Sequence, residues 1–140
     1  MMKEIDHIAI AVHDLDKASE RLRKILGSEI LTRERVESED IEAVMFQLGS
    51  TKIELVCPLS EDSVVAKFLR KRGEGMHHIA IGVDDIDGEI ARLKGENVRL
   101  VNDTARKGAM GRKIAFIHPK STSGVLLELV ETPSPSERDE

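Results

Sequence analysis

Two histidines and two glutamates recur at matching places in this 140-residue chain. His7 opens the run His-Ile-Ala-Ile-Ala-Val, and His78 opens His-Ile-Ala-Ile-Gly-Val 71 positions later. Glu54 interrupts the apolar run Ile-Glu-Leu-Val, and Glu128 interrupts Leu-Glu-Leu-Val. Two neutral imidazoles and two carboxylates make a donor set for one divalent cation, whose charge the carboxylates balance. Mixed N and O ligands suit Co, Mn, Ni, Zn or Fe, and an octahedral ion keeps two positions for water or substrate. An ionised carboxylate within an apolar strand is costly unless it is paired or metal-bound. One such glutamate reads as an edge residue facing water, or as a partner for Lys52 or Lys113. Two of them, at repeat-related positions after two repeat-related histidines, point to a shared metal site.

The elements that must position these residues follow from the same repeat, which marks two copies of one supersecondary unit. In the first copy, period-two alternation puts Ile5, His7, Ala9 and Ala11 on one strand face and Ile8, Ile10 and Val12 on the other. In the second, His78 shares a face with Ala80 and Gly82, whereas His77 falls with Ile79, Ile81 and Val83. Small neighbours leave room for a ligand, so His78 and not His77 is the ligand candidate. Asp14 is placed to cap a helix with Leu15, Ala18, Leu22, Ile25 and Leu26 on one stripe, closed by Gly27. Strands are expected near 29–36, 41–48 and 51–57, the last two joined by the turn at Gly49-Ser50.

The second copy repeats this plan. Asp84 or Asp85 caps a helix bearing Ile86, Ile90 and Leu93, and strands are expected near 98–102, 112–118 and 124–131. The closing glutamates are spaced three residues wider than the histidines, and the longer turn at His118–Gly124 absorbs the difference. Each half therefore reads as βαβββ, with module one at 4–58 and module two at 75–131 of a single domain spanning 1–132. A linking helix over 60–73 is expected to bury Val64, Val65, Phe68 and Leu69, and its cationic end suits a helix C-terminus. Residues 133–140, rich in Pro, Ser and charge, are expected to be disordered.

Composition narrows the function classes. A net charge of −5 and a pI near 5.6 argue against a nucleic-acid or anionic-membrane binder. There is no Trp or Tyr and only three Phe, so base stacking is not the recognition mode. No apolar stretch approaches the roughly 18–20 residues of a membrane span. The start of the chain shows no apolar signal region. A single cysteine, Cys57, allows no intrachain disulfide and fits a reducing, cytoplasmic setting.

Several stretches resemble the vicinal oxygen chelate superfamily and, within it, the methylmalonyl-CoA epimerases. They are Asp6–Val12, Pro58-Leu59 with Asp62-Ser63, Gly75–Ile79, Phe116–Lys120 and Gly124–Leu129, together spanning about residues 4 to 131. The resemblance implies an α+β fold of two paired βαβββ modules in a cupped mixed sheet, with a metal held by His7, Glu54, His78 and Glu128. It also implies interconversion of (2R)- and (2S)-methylmalonyl-CoA, through removal of the C2 proton and a metal-stabilised enolate. Two carboxylates then act as bases of opposite stereochemical sense; the resemblance nominates Glu128 and Glu42. Cobalt is the expected ion, with Mn, Ni, Zn or Mg as alternatives.

The expected partner is a small acyl-CoA, with neither nucleic acid nor membrane, in a homodimer. Lys107, Arg112 and Lys113 around Gly108–Gly111, or the basic run Arg70–Arg72, are the cations available to coenzyme A, although solvated surface accounts for both groups. Glyoxalase I shares the fold, the ligand set and the type of proton transfer, with a glutathione hemithioacetal as substrate. A metal-free binding protein of the bleomycin-resistance type would use the groove as a cleft with aromatic walls, which this aromatic-poor chain does not offer.

Overall fold

The computed structural model describes residues Met2–Thr132; the tail at 133–140 lies outside the described residues. It holds eight strands and three α-helices in the order β1 (Met2–Ala11), α1 (Leu15–Leu26), β2 (Thr32–Val36), β3 (Ile41–Leu48), β4 (Thr51–Pro58), α2 (Val64–Arg72), β5 (Gly75–Val83), α3 (Ile86–Gly95), β6 (Arg106–Lys107), β7 (Lys113–Ile117) and β8 (Leu127–Glu131). Two βαβββ modules in an α+β chain are what the repeat requires. The compact units divide at the histidines themselves. One is His7–His78; the other joins the residues before His7 to those from Ile79 onward.

In the first unit the strands run β2-β3-β4-β1. β2, β3 and β4 are antiparallel neighbours, and β1 lies parallel to β4. Asp14 caps α1, its Oδ1 accepting from the Lys17 N–H at 3.0 Å. Gly27 ends the helix in the left-handed region at φ 66°, donating to the Arg23 carbonyl at 2.9 Å. One face of α1 packs with Val12, Leu15, Val44, Phe46 and Leu55, and Ala18, Leu22 and Leu26 extend that stripe. Ile25 was expected on it but is 78% exposed. Leu22 and Leu26 already occupy the inner positions of the last turn, and Ile25 falls beyond their edge. In α2, capped by Ser63, Val65 and Leu69 are buried. Val64, the first helical residue, faces solvent instead.

In the second unit the order is β5-β8-β7-β6, again with one parallel pair, β5 with β8. Asp85, not Asp84, caps α3, accepting from the Gly88 N–H at 3.2 Å. Val83, Ile86, Ile90, Leu93, Ala115, Ile117 and Leu129 form the core, with Met2 packed against it. The strand expected at 98–102 is reduced to an isolated bridge between Leu100 and Ile117. The Asn102 side-chain oxygen accepts from the Phe116 N–H at 2.9 Å, a bond that a backbone carbonyl would make in a continued ladder. The strand that follows the helix in this module is therefore the two-residue β6. The long β7–β8 connection contains a single 3₁₀ turn at Pro119–Ser121, where the first unit has only Gly49-Ser50. The wider spacing of the glutamates is taken up there.

Register shows that the repeat is structural. Glu54 stands opposite Ala9 on β1 and Met45 on β3. Glu128 stands opposite Ala80 on β5 and Phe116 on β7. These are the same places in each module.

Candidate metal centre

His7, Glu54 and His78 come from β1, β4 and β5 and are buried, at 3%, 3% and 6% exposure. His7 Nε2 lies 3.4 Å from His78 Nε2 and 3.5 Å from Glu54 Oε1. The remaining pair, His78 Nε2 and Glu54 Oε1, is 3.8 Å apart. Donors about 2.1 Å from one ion must stand roughly 3.0–3.4 Å from one another at octahedral or tetrahedral angles. The observed triangle is slightly wider, so a small inward shift of the side chains fits a divalent cation. Ala9 and Ala11, both fully buried, flank His7 on the same strand face; their small side chains let the imidazole and Glu54 converge.

Glu128 is also buried, at 5% exposure, between Ala80 and Phe116 in the second unit. Its register position duplicates that of Glu54.

Glu42 is brought elsewhere. Directly opposed residues in antiparallel strands share a face. Glu42 pairs with Cys57, and Met45 pairs with Glu54. Because 42 and 45 differ by an odd number, Glu42 points to the side opposite Glu54, the side of Val44 and Phe46 that α1 covers. Its carboxylate accepts from Arg33 Nε at 2.9 Å, and Arg33 Nη1 donates to Asp16 of α1 at 2.6 Å.

A family model for the glyoxalase/bleomycin resistance protein/dioxygenase superfamily matches residues 6–116. The chain is 40% identical over 126 residues to the mitochondrial methylmalonyl-CoA epimerase of Mus musculus, covering 89% of this chain and 71% of that one. It is 38% identical over 131 residues to the ethylmalonyl-CoA/methylmalonyl-CoA epimerase of Cereibacter sphaeroides, covering 92% and 98%. A Streptomyces coelicolor methylmalonyl-CoA epimerase variant, solved with 2-nitronate-propionyl-CoA, superposes with a TM-score of 0.92 at 40% identity, covering 96% of this chain and 100% of that one. The chain belongs to the methylmalonyl-CoA epimerase family.

Register also places a carboxylate that the sequence analysis did not single out. Glu34 of β2 stands opposite Ala43 of β3, on the face of Met45 and Glu54. Among the strand residues of the first unit it is the other carboxylate on that face. Periodicity could have found it, since Thr32, Glu34 and Val36 alternate with Arg33 and Arg35, but the strand was expected to start three residues earlier and its register was unknown.

Among the cations considered for coenzyme A, Arg112 is already engaged. It donates from both terminal nitrogens to Asp6, at 2.9 and 2.8 Å, with side-chain exposures of 16% and 7%. This bidentate pair corrects the expectation of a solvated Arg112. Among the described residues no helix is long and apolar enough to cross a membrane.

Proposed function

We propose that this chain is a metal-dependent epimerase interconverting (2R)- and (2S)-methylmalonyl-CoA. The observation that carries the reading is the buried His7–Glu54–His78 donor triangle in a chain of this family. His7, Glu54 and His78 would hold the ion, and Glu128, their repeat-related fourth member, would complete the set. When bound, a divalent ion supplies a Lewis acid that polarises the thioester carbonyl and acidifies the C2 proton.

The chain's residues supply the rest. The Glu128 carboxylate takes the C2 proton from one epimer. Return of a proton to the other face needs a second acid. The resemblance nominates Glu42 for that part; its pairing with Arg33 and its place on the strand face packed by α1 favour Glu34 instead. The same reading takes the protein as a cytoplasmic homodimer of propionate metabolism. Cobalt is the ion of first choice, before Mn, Ni, Zn or Mg. The single thiol supports the reducing setting, and the N and O donor set suits these ions.

The test is proton–deuterium exchange at C2 of methylmalonyl-CoA in D2O, followed by NMR with metal-loaded and EDTA-stripped protein. Metal-dependent exchange above the enzyme-free background, abolished in Glu128→Ala, is expected. Background exchange with Co or Mn bound would overturn the reading and send the protein to methylglyoxal plus glutathione.

A further inference from the structure

We infer that His77 is a positioning residue that fixes the tautomer and ring orientation of His78 for metal binding. This rests on the metal reading of the His7–Glu54–His78 triangle. His77 Nδ1 lies 2.8 Å from His78 Nδ1, a distance that requires one nitrogen to carry hydrogen and the other to accept it. His78 presents its other nitrogen, Nε2, to His7 and Glu54. A ligating Nε2 must keep its lone pair, so neutral His78 carries its proton on Nδ1 and donates it to His77. His77 is then the acceptor at Nδ1 and holds its own proton on Nε2. In the opposite arrangement His77 would donate, and the His78 proton would block the nitrogen that faces the triad.

The acceptor is itself braced. The His77 ring meets Phe68 of α2 edge-on at 5.0 Å between centroids, and the Arg72 guanidinium lies 5.7 Å from the centre of the Phe68 ring. An aromatic contact of this geometry restricts the imidazole, so α2 holds the ring that orients the ligand. Strand alternation assigns the ligand role to His78 rather than His77. Alternation does not show that the neighbouring His77 is the ligand's hydrogen-bond partner.

The experiment measures Zn2+ affinity of the full chain by competition with a chromophoric chelator, for wild type, His77→Phe and His77→Asn. Phenylalanine keeps a ring against Phe68 but offers no acceptor; asparagine offers an amide oxygen at about the place of Nδ1. His77→Phe is expected to weaken zinc binding about 10- to 100-fold, the usual effect of losing an outer partner, and His77→Asn to recover most of it. Thermal midpoints of the metal-free proteins identify any loss that comes from misfolding. In zinc-loaded wild type labelled with 15N-histidine, NMR is expected to show His77 as the Nε2–H tautomer, a readout that packing alone does not set. Zinc binding by a folded His77→Phe equal to wild type, or His77 protonated at Nδ1, would overturn the assignment. A wild type that binds no zinc or cobalt would remove the triad reading itself, and this role with it.

Discussion

Arg33 bridges from β2 to Glu42 of β3 at 2.9 Å, on the sheet face covered by α1. The pair is partly exposed, at 40% and 26% of the two side chains, so its loss should cost at most about 1 kcal/mol. Glu42→Gln is expected to lower the melting temperature slightly and to keep the epimerisation rate within about threefold of wild type. Stopped-time assays from each epimer measure this. A fall of about 100-fold or more, the usual effect of losing a general base, would make Glu42 the second acid–base group.

Glu34 carries the opposite expectation. Glu34→Gln should slow interconversion by roughly 100-fold or more. Exchange of the C2 proton should persist from the one epimer whose hydrogen faces Glu128, since that carboxylate is intact. Deuterium incorporation followed separately from the (2R) and (2S) thioesters separates these behaviours. Unchanged interconversion in folded Glu34→Gln would remove it from the mechanism.

The histidines and the glutamates were legible in sequence because the repeat placed them at matching strand positions, and pleat alternation assigned their faces. His78 was separated from His77 by its small neighbours alone. The same rule applied to β3 puts Glu42 beside Val44 and Phe46, but only the pairing of Met45 with Glu54 shows which face that is. A period-two pattern gives two faces without saying which is covered by a helix. The strand expected at 98–102 failed for a local reason, since Asn102 caps Phe116 through its side chain. The Asp6–Arg112 pair joins residues 106 positions apart, beyond the reach of any local pattern.

That pair makes a stability prediction. Both side chains are largely buried and meet through two hydrogen bonds. Removing one partner leaves the other charge in a poorly hydrated site, at a typical cost of about 3–5 kcal/mol. Asp6→Ala should therefore unfold in urea at a clearly lower midpoint than wild type. A change below about 1 kcal/mol, the range of exposed ion pairs, would show that Arg112 finds water or another acceptor.

Cys57 stands opposite Glu42 on the face that α1 covers, and burial raises its thiol pKa, with the Glu42 charge adding to the rise. A raised pKa lowers the thiolate fraction, and the thiolate is the nucleophile. Alkylation by iodoacetamide at pH 8 should thus be slower than for a free cysteine, and its rate should still be climbing where a free thiol has levelled off. Glu42→Gln removes the smaller cause and leaves burial, so the rate at pH 8 should rise yet remain below that of the free thiol. Saturating Zn2+ should leave the rate unchanged, because Cys57 is on the side of the sheet away from Glu54. Protection of Cys57 by zinc in wild type would place the ion on the wrong face for the His7–Glu54–His78 triangle and sink that assignment.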